Sequence, residues 1–169
     1  MHFAYADPPY FGQGKRRYGA PEWDKRPRHL ELLAELEVTY PDGFALSCNP
    51  ANLTWLLPAA TRKVRVCAWV KPYRQLWTVG VQYSWEPVLL VGGHADPKRR
   101  PMVVDWLLCK PTRKRGLCGA NPALFNHWIL DLLGYVDGDT LDDLYPGTNG
   151  MAVALDGHAE YLEGLAHAA

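Results

Sequence analysis

The chain has no net charge: eighteen Lys and Arg stand against eighteen Asp and Glu in 169 residues. No overall field therefore draws it to nucleic acid, although charge of one sign gathers locally. It also lacks an apolar run long enough to span a membrane and a leader-like amino-terminal segment, so a cytoplasmic chain without a membrane partner is expected. Its four cysteines, Cys48, Cys67, Cys109 and Cys118, contain no Cys-x-x-Cys pair and suit reduced thiols. The six histidines share no ligand spacing, and no metal is expected. There is no internal repeat.

What remains is ordinary globular composition, 48% hydrophobic and 21% charged. A chain of this length buries one core, so residues 1–169 are read as a single domain. Basic residues cluster at Lys15-Arg16-Arg17, at Lys25, Arg26 and Arg28, at Lys98-Arg99-Arg100, and at Lys110 with Arg113-Lys114-Arg115. Acidic ones collect between residues 31 and 37 and in the last third. A neutral chain segregated in this way can still present one basic face.

Apolar runs at residues 3–6, 43–48, 64–70, 86–91, 103–108 and 140–145 read as strands, each stopped by Pro, Gly or Asn. Amphipathic helices are expected over residues 29–38, over 52–60 with Asn52 as the cap, from Asn121-Pro122 to a cap at Gly134, and from the glycine turn to about Leu165. Residues 11–28 make a long loop of the functional or mobile sort, and residues 92–120 a basic loop region. Trp69, Trp85 and Trp128 are assigned to the core. Strands alternating with helices imply a mostly parallel α/β sheet with helices on both faces.

The first strand ends in Asp7-Pro8-Pro9-Tyr10. Two prolines forbid the strand from continuing, so a carboxylate, a proline carbonyl and an aromatic ring are fixed together at its carboxyl end. Open α/β sheets bind ligands at that edge. The set suits an exocyclic amine on a flat ring: Asp7 accepts one N–H, the Pro8 carbonyl accepts the other, and Tyr10 stacks on the ring. The same residue types also make an ordinary surface turn. Near the other end, Asp143-Leu144-Tyr145-Pro146-Gly147-Thr148-Asn149-Gly150 is a glycine turn from strand to helix, which presents backbone N–H groups and allows close approach of a ligand.

Together these motifs resemble the S-adenosylmethionine-dependent amino methyltransferases of DNA, which use a catalytic Asp/Asn/Ser-Pro-Pro-Tyr/Phe/Trp motif and an Asp-x-Phe-x-Gly-x-Gly cofactor loop. The order, catalytic motif first, is similar to that of the permuted β class. Trp69-Val70-Lys71 and Trp85-Glu86-Pro87-Val88-Leu89-Leu90 look like the family's central strands, and Gly119-Ala120-Asn121-Pro122 like the start of the helix before the cofactor loop. The resemblance implies a reduced Rossmann-like methyltransferase sheet lacking the strands that follow the cofactor loop. It implies S-adenosyl-L-methionine as cofactor, held by Asp143, Tyr145, Gly147, Thr148, Asn149, Gly150, Asn121 and Pro122. It implies DNA as substrate, with RNA open, and adenine N6 as the acceptor, since N4-cytosine members more often carry serine at the first catalytic position.

Two positions depart from the family pattern. Asn121 stands where Lys is common, and Asn149 replaces the second glycine, although Asn tolerates a left-handed conformation better than other non-glycine residues. Without the family's strand after the cofactor loop, whose terminal acid holds the ribose, the adenosine half of the cofactor site is expected to be open or completed by a second copy or a partner protein. Lys15, Arg16, Arg17, Arg28, Lys98, Arg99, Arg100, Arg113, Lys114 and Arg115 are candidate phosphate contacts, and Tyr18 and Trp23 either stack on bases or anchor the loop. A rival from another class is a methyltransferase-like nucleic-acid-binding subunit with weak or no cofactor binding.

Overall fold

The computed structural model describes residues 1–72, 80–94, 102–112 and 120–168. The strands are β1 (His2–Ala6), β2 (Gly43–Ser47), β3 (Arg65–Val70), β4 (Trp85–Gly92), β5 (Trp106–Leu108) and β6 (Thr140–Asp143). They form one sheet in the order β5-β3-β4-β2-β1-β6. Pairings β1 with β2, β1 with β6 and β3 with β5 are parallel, while β4 is antiparallel to both β2 and β3. The expected mostly parallel α/β sheet is therefore present, with β4 alone reversed. No helix is described between β3 and β4, and antiparallel neighbours need no crossover.

Alternation along the strands sorts the core onto two faces, because successive side chains point to opposite sides. Phe3, Tyr5, Ala45, Cys67, Trp69 and Val88 pack against α3 (Ala123–Leu133) and α4 (Gly150–Ala168). Ala4, Ala6, Phe44, Leu46, Leu89 and Val91 pack against α1 (Arg26–Thr39) and α2 (Leu53–Leu56). Helices thus cover both faces. Phe125 of α3 is buried beside Trp69, with ring centroids 4.6 Å apart. An aromatic ring buried in this way is worth about 3–5 kcal/mol against alanine.

Several local readings need adjustment. Residues 11–28 hold a π-helical turn (Gly14–Tyr18) and a 3-10 turn (Pro21–Asp24), and α1 starts at Arg26 with Pro27 in its first turn. Asn52 stands at the N-cap position of α2 but makes no side-chain cap bond, being buried within a 3-10 turn (Pro50–Asn52); Asn49 caps that turn, accepting from the Ala51 N–H at 2.9 Å. Strand β6 stops at Asp143, and the stretch 103–108 contributes only the three residues of β5. Trp69 and Trp128 are core residues, but Trp85 is half-buried. Gly134 ends α3 as expected, at φ 69° with its N–H on the Asp131 and Leu130 carbonyls.

Candidate active site

Reversal of β4 gathers chemistry at one edge of the sheet. Asp7 follows β1, Ser47 ends β2, Lys71 follows β3, Glu86 is the second residue of β4, and Asp143 ends β6. A parallel β4 would have placed Glu86 at the opposite edge. β1 leads to β2 on one side and pairs with β6 on the other, so the crevice between β1 and β6 is a topological switch point, where open α/β sheets bind ligands.

Pro8 and Pro9 turn the chain after Ala6, and Gln13 N–H closes the following turn on the Tyr10 carbonyl at 2.8 Å. Asp7 is half-buried there. Its Oδ2 accepts from Asn121 Nδ2 at 3.1 Å, and the same amide nitrogen donates to the Tyr5 hydroxyl at 3.2 Å. Asn121, expected on the cofactor side, thus reaches the first motif directly. The Tyr5 hydroxyl also meets Ser47 Oγ at 3.1 Å, while the Tyr10 hydroxyl donates to Glu86 Oε2 at 3.0 Å. Glu86 Oε1 is paired with Lys71 Nζ.

Burial and the Glu86 carboxylate push the Asp7 carboxyl up to about 6, against the lowering effects of Asn121, Tyr10 and Lys71. Asp7 is therefore largely ionised at neutral pH, and uncomfortably so. Burial and the nearby Asp7 charge raise the phenols of Tyr5 and Tyr10 well above the ordinary range. Burial, then Glu86 and Asp7, pushes the Cys48 thiol up to about 12. A thiol so protonated is a poor nucleophile.

Across the crevice, Asp143 Oδ1 accepts the Tyr145 N–H at 3.2 Å, and burial raises the Asp143 carboxyl. The turn after it places Gly147 at φ 47° and Asn149 at φ 64°, the latter the left-handed conformation that Asn tolerates. Gly150 opens α4 against Asn126, where an added Cβ would lie 2.8 Å from Asn126 Nδ2. Tyr5, Asp7, Asn121, Asn126, Asp143 and the turn residues 145–148 with Gly150 line one cleft of about 320 Å³, part of it open to solvent. It thus joins Asp7 to Asn121, Asp143, Tyr145, Gly147, Thr148 and Gly150; Asn149 and Pro122 flank it, and Pro8 and Tyr10 line an adjoining pocket with residues of β2 and α2.

Lys15, Arg16, Arg17 and Tyr18 form an exposed ridge after the first motif. Asp24 accepts the Gly14 and Lys15 N–H groups at 2.8 and 3.0 Å, and Gln13 Oε1 accepts from Arg16 and Arg17 at 3.0 and 2.9 Å. Arg28 instead pairs with Glu35 at 3.1 Å and lies 4.9 Å over the Trp23 ring, which is itself buried against Tyr145. Lys98, Arg99, Arg100, Arg113, Lys114 and Arg115 lie outside the described residues. Tyr5, Ser47, Lys71, Glu86 and Asn126 are site residues that sequence reasoning missed. Lys71 and Glu86 carried a signal, since each is a lone charge bordering an apolar strand.

No protein-family model matches the chain, and no curated protein matches it. Among solved structures, a crystal structure of the M1.HpyAVI-SAM complex aligns with a TM-score of 0.62 at 15% identity, covering 93% of this chain and 78% of that one. At that identity the likeness concerns the fold: a mixed, mostly parallel Rossmann-like sheet of the methyltransferase type.

Proposed function

We propose that the chain transfers a methyl group from S-adenosyl-L-methionine to the exocyclic amine of a nucleobase in DNA, adenine N6 in particular. The observation that carries this reading is the shared cleft: Asp7 lines it together with Asp143, Gly147 and Gly150. A matching fold seen with S-adenosylmethionine in M1.HpyAVI supports it further.

The residues present suit that cofactor. Asp143 keeps acceptor capacity beyond the Tyr145 N–H, as an ammonium group needs, and Gly147 and Gly150 line the same cleft without side chains. Asp143 with the turn at 146–150 would hold it. Bound there, S-adenosylmethionine supplies an electrophilic methyl on a positively charged sulfur.

The remaining work falls to the catalytic motif. Asn121 occupies one oxygen of Asp7, leaving the other to accept an N–H from the target amine. The Pro8 carbonyl accepts the second N–H, which directs the nitrogen lone pair out of the ring plane. Tyr10 gives the flipped base a stacking surface. Methyl transfer forms a C–N bond as the C–S bond breaks, its electrons remaining on sulfur, and the new ammonium nitrogen then loses a proton to Asp7 or to water. Rate comes from orientation. The ridge at Lys15, Arg16 and Arg17, with Tyr18 exposed beside it, contacts the DNA backbone.

Calorimetry with S-adenosylmethionine, with and without duplex DNA, tests the reading together with mass spectrometry of digested DNA and RNA substrates. Expected are saturable cofactor binding and N6-methyladenine in DNA, with Asp7→Ala abolishing transfer but not cofactor binding. Absence of cofactor binding at millimolar concentration, with DNA binding retained, would replace this reading with the binding-subunit one.

A further inference from the structure

Asp7 has a charged pair behind it that neither folding nor a simple amine clamp requires. Lys71 and Glu86 are paired at the sheet edge with side chains only 8% and 22% exposed. Removing two charges from water seldom stabilises a fold relative to apolar residues of the same size. The pair's other contacts run toward the catalytic motif. Glu86 holds the Tyr10 hydroxyl at 3.0 Å, and the Lys71 ammonium stands 4.2 Å over the ring of Trp69, itself fixed by an indole N–H donated to the Cys109 carbonyl at 3.0 Å.

We propose that Lys71 and Glu86 are positioning residues: Glu86 tethers the Tyr10 ring by its hydroxyl, and the paired charges set how readily the Asp7 carboxylate accepts an amine. The proposal rests on the methyltransferase reading for its purpose, while the coupling it asserts is measurable without catalysis. Around Asp7 the facing groups are Tyr5 and Tyr10 from its own segment, Cys48 after β2, Lys71 after β3, Glu86 from β4, Asn121 before α3 and Asp143 of β6 in the same cleft. Among these, Glu86 and Lys71 are the charges that bear on Asp7, and they act in opposite senses. The Glu86 carboxylate opposes ionisation of Asp7, and the Lys71 ammonium favours it.

Opposed signs give the test its strength. The Asp7 carboxyl is followed by carbon-detected NMR from pH 4 to 9 on the full chain labelled at aspartate carboxyls, with Asp7→Asn identifying the resonance. Glu86→Gln should lower the midpoint by roughly one pH unit, and Lys71→Met should raise it by a similar amount. Should Lys71→Met fail to fold, the double variant Lys71→Met/Glu86→Gln replaces it: the raising effect of Glu86 outweighs the lowering effect of Lys71, so Asp7 should titrate below the wild type once both charges are gone. A Tyr10→Phe variant, which cuts the tether, should raise the midpoint and weaken the acceptor substrate's KM more than kcat. Midpoints that stay within 0.2 of a pH unit (roughly the precision of such a titration) in both charge variants overturn the proposal. If the midpoints move as stated but the wild-type chain transfers no methyl group, the coupling stands and the methyltransferase reading falls.

Discussion

Replacing Asp7 by Asn should destroy methyl transfer and make the protein more stable. In an unfolded chain an aspartate titrates near 3.8, whereas burial and Glu86 hold Asp7 at about 6. A group whose folded pKa is raised binds its proton more tightly in the native state. The native fold is therefore favoured at low pH and loses that advantage as pH rises through the window from 3.8 to about 6. A displacement of about two pH units corresponds to roughly 3 kcal/mol. Because Asp7 is partly open to solvent, about 1–2 kcal/mol is the expected size. Asn keeps the shape and still offers an oxygen to Asn121, so the gain is not offset by a cavity. Urea denaturation at pH 7.5 should show the midpoint of Asp7→Asn above wild type, with an accompanying Tm increase of about 2–8 °C. At pH 4 the two curves should nearly coincide. An Asn variant equal to or weaker than wild type at pH 7.5, or a gain that persists unchanged at pH 4, refutes the reasoning.

Other perturbations separate neighbouring parts of the structure. His158, buried between α3 and α4, has its pKa lowered to about 4 by burial and by His127, so its contribution is complete above about 6.5 and is lost as pH falls toward 4. The stability difference between wild type and His158→Leu, measured by urea titration across that window, should shift by on the order of 2 kcal/mol against the wild type as the pH is lowered; a pH-independent difference counts against it. Replacing Arg16 and Arg17 together by Ala should reduce the slope of log affinity for duplex DNA against log salt by about 2, with little dependence on sequence. An unchanged slope removes those residues from the DNA-binding surface.

Legibility in the sequence followed the strength of local punctuation. β1 and β2 were readable because apolar runs end at Asp7-Pro8 and Asn49-Pro50, and the α3 terminus because Gly134 alone fits the left-handed cap. Strand direction has no such mark, so the reversal of β4 emerged only from the pairing, and with it the proximity of Glu86 to Asp7. For Lys71 and Glu86 the sequence displays the charge but not the partner that permits burial. Asn49 and Asn52 illustrate a smaller limit: a sequence shows two residues able to cap, but not that a 3-10 turn lies between them and that only Asn49 makes a cap bond. The tetrapeptide Asp7-Pro8-Pro9-Tyr10 was legible because its prolines enforce one local geometry. Its neighbours in space come from residues 47, 71, 86 and 121, which only the closed sheet brings together.

The pairing of His2 with Thr140 has a consequence for how the molecule comes into being. β1 lies inside the finished sheet between β2 and β6, so one of its two edges has no partner until β6, far later in the chain, has been made. Contacts so distant in sequence form slowly, since a long loop must close before they contribute. The half of the site built from Asp7, Ser47, Lys71 and Glu86 can assemble while β6 is still missing, so the emerging chain carries an unpaired, largely apolar strand edge through that interval. A nascent chain in this state is exposed to association through β1, and the cleft that joins Asp7 to the glycine turn cannot form before β6 and that turn have been made.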